Sequence, residues 1–277
     1  MMLDAPFHPR PDENRMGNLG DVAAARASYF SRTSKNLEYL VRTRYEWLNE
    51  WVGPDDDGVE LGCGIGVGRD FVRARSVLLT DMSEGSWLDV ENVDAIATPF
   101  ADGQFDFVVV QNVLHHLAHP IRFFPEAARI LKPGGLLLVR DVKCSFMTRA
   151  MARLTRVEGY AYNVDVFDPA VALSDPANLW EANNAIPDLL FEDRARFAGA
   201  VPEFEIVDEQ FEECLLVLNS GGVTHKTISV PLPMPLLRLL RRIDDAITAR
   251  WPSAFAMQRN LVLRRHGGSP DAVPTTL

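Results

Sequence analysis

Three glycines at alternate positions, Gly62, Gly64 and Gly66, follow the short apolar run Val59-Glu60-Leu61, with Cys63 and Ile65 between them. Glycine is required where backbone turns sharply or where a ligand lies directly on the main chain. An ordinary strand-to-helix turn rarely needs that density, so the segment reads as a cradle for a nucleotide-type ligand. The dinucleotide fingerprint GxGxxG seats a pyrophosphate at a helix N-terminus. Counted from Gly62 it needs glycine at 67, where the chain has Val67; counted from Gly64 it needs glycine at 69, where Arg69 stands. The GxGxG that is present, with Gly68 beyond it, suits an adenosyl ligand that has no pyrophosphate. Asp81 comes 19 residues after Gly62 and ends the apolar run Ser76–Thr80. A carboxylate there accepts hydrogen bonds from both ribose hydroxyls, although a strand-end turn also favours aspartate. Met82, next in sequence, is placed to lie against an adenine face.

Proton chemistry points to His115 and His116, which follow the apolar run Phe105–Val110. A neutral imidazole beside such a crevice accepts a proton from a substrate hydroxyl; the alternative is a pair that only shapes the pocket. His116 is placed slightly ahead of His115 as the base. Asp141 and Lys143 end a later apolar run and face the same crevice, while Tyr160, Tyr162, Asp165, Asn183, Asn184 and His225 read more readily as structural or solvated. Arg44 and Tyr29 belong to an N-terminal helical region that closes over the ligand, with Arg44 available to a ligand carboxylate. Cys63, Cys144 and Cys214 are widely spaced and form no CxxC pair, so neither a disulfide framework nor a metal site is expected.

These residues need a scaffold, and the hydrophobic pattern supplies one. Val59–Leu61, Ser76–Thr80, Phe105–Val110 and Leu136–Val142 read as buried parallel strands, and Ile121–Leu131 as a helix stopped by Lys132-Pro133-Gly134-Gly135. Strands alternating with helices imply a doubly wound, mainly parallel sheet. Residues 21–51 are expected to be helical, with Leu37, Leu40, Val41, Tyr45 and Leu48 on one face. Farther on, Asp188–Ala200 is expected as a helix, Phe204–Val207, Cys214–Leu218 and Leu261–Leu263 as strands, and Leu236–Arg250 as an amphipathic helix.

The run Asp94-Ala95-Ile96-Ala97-Thr98-Pro99-Phe100-Ala101-Asp102-Gly103-Gln104-Phe105-Asp106 closely resembles the third block of class I S-adenosylmethionine-dependent methyltransferases. Gln111-Asn112-Val113-Leu114-His115-His116-Leu117 and Arg129-Ile130-Leu131-Lys132-Pro133-Gly134-Gly135 resemble the next two, so the likeness spans residues 55–142 in order. It implies the Rossmann-like class I methyltransferase fold with N-terminal helices and lid insertions. S-adenosylmethionine is the implied cofactor, as the GxGxG spacing already favours over nicotinamide or flavin. The implied cofactor residues are Glu60, Gly62, Cys63, Gly64, Gly66, Asp81, Met82, Asp94, Ala95, Gln111, Asn112 and Arg44. Within them, Asp94 reaches the adenine amino group, the Ala95 backbone meets a ring nitrogen, and Gln111 and Asn112 line the methionine side. Thr98 departs from the family's more usual leucine.

The expected organisation is a disordered N-terminus (1–17), a single methyltransferase domain (18–266) and a disordered tail (267–277). Within the domain, 18–54 are helices, 55–142 hold the cofactor, and 143–200 with 221–256 form the acceptor pocket and lid. The net charge of −10 opposes non-specific nucleic-acid binding. Between Pro231 and Arg265, however, seven arginines face two aspartates, a local basic patch. MMLDAPFHPRPDEN has no signal-peptide core, and a cytoplasmic protein is expected. The acceptor is a small molecule, first a hydroxyl of a sugar or glycan precursor, a likeness carried loosely by the second half; next comes a natural-product hydroxyl or amine. A silent cofactor-binding module and, less favoured, a nicotinamide oxidoreductase are the rivals from other classes. No integral membrane segment is expected, while peripheral contact with a membrane or lipid-linked substrate, and a homodimer, remain open.

Overall fold

The computed structural model describes residues 5–16, 21–32, 34–175, 178, 180–223 and 229–267. His225 and the tail after Gly267 lie outside the described residues. Two helices come first, α1 (Val22–Arg32) and α2 (Lys35–Glu46), the second capped by Ser34, whose side chain accepts from the Leu37 amide. They precede β1 (Asp57–Leu61), β2 (Ser76–Thr80), β3 (Phe105–Gln111), α3 (Phe123–Ile130) and β4 (Leu131–Val142). The second half contributes α4 (Phe146–Thr155), α5 (Ile186–Phe191), α6 (Arg194–Ala200), β5 (Phe204–Glu212), α7 (Leu215–Leu218), α8 (Met234–Arg250), α9 (Pro252–Phe255) and β6 (Gln258–Arg265).

The six strands form one sheet in the order β2-β1-β3-β4-β6-β5. The first four run parallel, and β6 is antiparallel to both neighbours. Strand order reverses between β1 and β3, so their carboxyl ends flank a switch-point crevice where ligands of open α/β sheets bind. Two apolar layers cover the sheet. One is built on Val59, Val108, Phe123 and Phe124, the other on Leu40, Leu48, Phe107 and Leu138.

Several expectations need correcting. No α-helix joins β1 to β2; a single 3-10 turn, Gly68–Asp70, stands there instead. A five-residue strand is about 17 Å long, and a helix running back along it needs about eleven residues at 1.5 Å each. The nine residues 67–75 are too few. Residues 81–104 also form no helix, and only a bridge from Thr80 to Val90 extends the sheet edge. Cys214–Leu218, expected as a strand, gives the short helix α7. The buried Asp244 carboxylate accepts the Cys214, Leu215 and Leu216 amides at 3.3, 2.8 and 2.8 Å, which satisfies the first turn of that helix. Asp188–Ala200 is two helices, because Asp193 starts α6 by accepting the Arg196 amide. Nor are residues 5–16 of the expected disordered N-terminus without structure: Phe7 pairs with Tyr160 through two backbone hydrogen bonds, and Arg153 lies over its ring.

Candidate active site

A cavity of about 530 Å³ opens at the carboxyl ends of β1, β2 and β3. Its floor is the glycine loop. Gly62 and Gly64 have φ of +74° and +54°, a region closed to most side chains. A Cβ on Gly62 would strike Val113, whereas one on Gly64 would meet no protein atom within 4 Å and would project into open space. Gly64 therefore leaves its backbone open to the cavity. Gly66, expected in the cradle, does not line the cavity. Its Cβ position is filled by Trp87, whose indole N–H donates to the Gly64 carbonyl and braces the loop from behind. Gly68 has a comparable reason: a Cβ there would overlap the Glu60 carboxylate.

Glu60, Cys63, Asp81, Met82, Asp94, Ala95, Gln111 and Asn112 all line this cavity. The Asp81 carboxylate accepts the Gly64 amide through Oδ2 at 2.8 Å and the Ser83 amide and hydroxyl through Oδ1. It thereby locks the loop to the second strand and, with four lone-pair sites, still has capacity for a ligand. Asp94 accepts the Ile96 amide at 3.0 Å and shapes the opposite wall. Glu60 is buried and accepts the Tyr45 hydroxyl at 2.8 Å. Burial, with the Asp81 charge adding to it, pushes its pKa up to about 8, against the lowering effect of its hydrogen bonds. Asn112 holds a left-handed φ of +55°, which asparagine tolerates, and so turns its side chain at the strand end. Asn112 Oδ1 is buried with no hydrogen-bond partner, while the Gln111 amide bonds the Glu60 carboxylate. An orphaned polar atom at the wall of a cavity leaves room for a polar ligand group. Together with the open cradle at Gly64, it fits S-adenosylmethionine.

Arg44 lines the cavity too, but its guanidinium is committed. It grips Glu213 in a two-point pair at 2.9 and 2.8 Å, and Arg140, fully buried in β4, reaches the same carboxylate at 2.5 Å. Burial opposes ionisation of Glu213, yet Arg140 and Arg44 outweigh it and hold its pKa down at about 2. Arg44 thus ties α2 to the sheet behind the cavity, and the expected partner of a ligand carboxylate is already engaged.

The histidines occupy the 3-10 turn Leu114–His116 on the far side of the same cavity. Asp141, from β4, organises this turn: Oδ2 accepts the Leu114 amide at 2.8 Å and the Val113 amide at 3.2 Å. Asp141 Oδ1 accepts the Val142 amide at 2.7 Å and faces His115 Nδ1 at 2.5 Å. Burial raises carboxyl pKa values, but His115 and the amides outweigh it and keep Asp141 low, hence ionised. An ionised carboxylate only accepts, so His115 Nδ1 carries a proton and, in the neutral ring, Nε2 is the basic nitrogen. That nitrogen is 3.8 Å from Glu158 Oε2. Burial disfavours the imidazolium of His115, yet the Asp141 charge and hydrogen bond prevail and its pKa is raised. His116 goes the other way: burial, then the His115 charge, lower it to about 4, against opposing pulls from Glu158 and Asp141. Their rings stand 4.2 Å apart.

Glu158 was not singled out by the sequence. It lies in an irregular segment 43 residues after His115, and nothing local marks it. The three groups His115, His116 and Glu158 offer ligand atoms within 4.8 Å of one another, a spacing that a cation would also accept. Beyond them the wall is Trp180, Asn178, Asp175 and His119, and Val223 is the described contribution from residues 221–256. Other candidates are placed elsewhere. Lys143 pairs with Asp188 and Glu192, Tyr162 donates to Asp188, and Asp165 pairs with Arg196. Asn183 brackets Ala161, and Tyr29, Tyr160 and Asn184 are buried outside the cavity.

Residues 59–139 match a family model described as a methyltransferase domain. A probable S-adenosylmethionine-dependent methyltransferase of Mycobacterium tuberculosis is 34% identical over 94 residues, 30% of this chain and 34% of that protein. One from Mycolicibacterium smegmatis is 33% identical over 94 residues, 30% of this chain and 37% of its own length. A ubiquinone/menaquinone biosynthesis C-methyltransferase of Laribacter hongkongensis is 43% identical over 60 residues, 22% of this chain and 25% of that protein. The match spans about a third of the length of the first two relatives. Among solved structures, an S-adenosylmethionine-dependent methyltransferase from Archaeoglobus fulgidus aligns over 86% of this chain and 98% of its own, with a TM-score of 0.47 and 14% identity.

Proposed function

Taking residues 59–139 as a class I S-adenosylmethionine-dependent methyltransferase domain, we propose that this chain methylates a hydroxyl group of a small-molecule acceptor, in the first instance a sugar or glycan precursor. The observation that carries this reading is the Asp141–His115 pair, set across one cavity from the glycine cradle. S-adenosylmethionine, when bound, supplies an already activated methyl group. The residues of this chain need only position the acceptor, exclude water and take a proton. His115 Nε2 accepts the hydroxyl proton, while Asp141 holds the opposite nitrogen's proton and stabilises the imidazolium, the logic of a catalytic dyad. With its low pKa His116 is neutral near pH 7 but a poor base, so it acts as a wall beside His115. The sequence order of preference, His116 before His115, is thereby reversed.

Support for a polyhydroxylated acceptor comes from the outer wall, where the Trp180 ring stands with Asn178, Asp175 and Glu158. An aromatic face matches sugar C–H groups, and carboxylates and amides match hydroxyls. The relatives' names favour a second reading. One is described as acting in ubiquinone or menaquinone biosynthesis and another on phthiotriol and phenolphthiotriol dimycocerosates, so a phenol or lipid alcohol is the alternative acceptor. The test is methyl transfer from labelled S-adenosylmethionine to parallel panels of sugars, lipid-linked glycans and phenols. Product with a sugar panel member, lost in His115→Ala, supports the first reading. Transfer to phenols alone replaces it, and tight cofactor binding without any transfer makes the chain a silent binding module.

A further inference from the structure

The sequence places Leu236, Leu237, Leu240, Ile243 and Ile247 on one apolar face of α8 and Arg238, Arg241 and Arg242 opposite. The structure divides them differently. The inward face carries Leu237, Asp244 and Thr248, all buried, and Arg241 turns in to Glu212 at 2.6 Å. Positions 236, 239, 243 and 246 recur at three- and four-residue steps and so share the other side of the helix. Leu236, Leu239 and Ile243 on that stripe are 48%, 51% and 43% exposed. Arg238 and Arg242, four residues apart, lie exposed along the stripe, and Arg250 closes its end against the half-exposed Trp251 ring. The one exposed acid of the helix, Asp245, is paired with Arg241.

A surface helix of a globular protein puts polar residues outside. Single exposed leucines need no explanation, but an apolar stripe in register beside arginines does. We propose that the outward face of α8 docks the protein flat on an anionic lipid bilayer. An apolar stripe edged by arginine, with a terminal tryptophan, is the composition of interfacial helices. The 17-residue helix presents about 25 Å of contact. Charge selects this occupant over a second copy of the chain. In a symmetric pair the same patch meets itself, which would set arginine against arginine. The chain as a whole carries −10, so net charge does not draw it to lipid phosphate, and the arginines edging this face supply the local attraction that orients docking. The approach to α8 is also anchored beside the cavity. Asn36 of α2 donates to the Asn219 and Val230 carbonyls at 2.9 and 2.8 Å and accepts the Leu232 amide, while Val223, between those points, lines the cavity.

The experiment is co-sedimentation of the full chain with vesicles of phosphatidylcholine alone or mixed with phosphatidylglycerol. Binding is expected to the mixed vesicles, weaker at high salt and on phosphatidylcholine alone. Leu239→Glu with Ile243→Glu should abolish it. Arg238→Gln with Arg242→Gln should weaken partition to mixed vesicles roughly thirtyfold, the effect of removing two charges near such a surface. Because these side chains are exposed, both variants should keep the parent's melting temperature and S-adenosylhomocysteine affinity, which shows that they fold. Failure of the parent to sediment with mixed vesicles, or variants that bind as the parent does, overturns the proposal. So does a dimer in solution that the glutamate variant dissociates, since the face would then belong to a second copy. None of these readouts depends on the acceptor.

Discussion

Asp141→Asn separates a catalytic dyad from a merely structural histidine. Four donors converge on this carboxylate: the Val113, Leu114 and Val142 amides and His115 Nδ1, at 3.2, 2.8, 2.7 and 2.5 Å. Asparagine has the same shape but replaces one oxygen with an NH2 group, which must then face two of those donors. A hydrogen bond to a charged acceptor contributes about 1.5–3 kcal/mol. One good bond and the long Val113 bond lost together cost about 3 kcal/mol, or roughly a 6–12 °C drop in melting temperature for a domain of this size. The effect on His115 is more specific. Without the Asp141 charge only the smaller pull of Glu158 opposes burial, and the imidazole pKa falls. Nitrogen-detected NMR should show His115 in the parent as the Nδ1–H tautomer with a raised pKa, and in the variant with a lowered one. Methyl transfer should fall about 10²–10⁴-fold, the usual worth of a general base, while S-adenosylhomocysteine affinity by calorimetry changes by less than roughly threefold. The pH sign follows: His115 acts only when neutral, so the parent's rate rises with pH through its raised pKa. Full activity in Asp141→Asn, or a His115 pKa unmoved by the substitution, would refute the reasoning.

Other outcomes follow from the same geometry. S-adenosylmethionine and S-adenosylhomocysteine should bind at low-to-mid micromolar concentration, about −7 to −8 kcal/mol. Asp81→Ala should weaken this by about 1.5–3 kcal/mol, and Gly64→Val at least as much, because its side chain enters the open cradle; unchanged calorimetric isotherms would move the cofactor elsewhere. Glu60 binds its proton more tightly folded than unfolded, so ligand-free stability should decline as pH rises from about 4.5 to about 8. Melting curves of Glu60→Gln should lack that decline, and a parallel slope would show that Glu60 ionises freely. Activity should survive prolonged dialysis against a chelator; loss that a divalent ion restores would make His115, His116 and Glu158 a metal site.

What the sequence determined by itself was the part of the molecule whose physics is local. Glycines needed for a left-handed turn, an acid at the end of a buried strand, and runs of β-branched residues each follow from a few neighbouring positions. The loop at Gly62 and Gly64, the carboxylates Asp81 and Asp94 and four core strands therefore lie where the pattern puts them. The readings that fail depend on partners far along the chain. Cys214–Leu218 has a strand's composition, yet Asp244, on a later helix, supplies the carboxylate that makes it helical. Arg44 suits a ligand carboxylate until folding brings Glu213, 169 residues away, against it first. Gly66 has the cradle's spacing, but Trp87 occupies the space a side chain there would enter. The histidine pair shows the same division. Two adjacent histidines are visible in the sequence, but a carboxylate 26 residues on from His115 holds the proton on one nitrogen of that ring, leaves the other to face the cavity and raises its pKa, while burial next door lowers that of His116. Identical side chains in adjacent positions differ only in what surrounds them, and that is set by tertiary contacts.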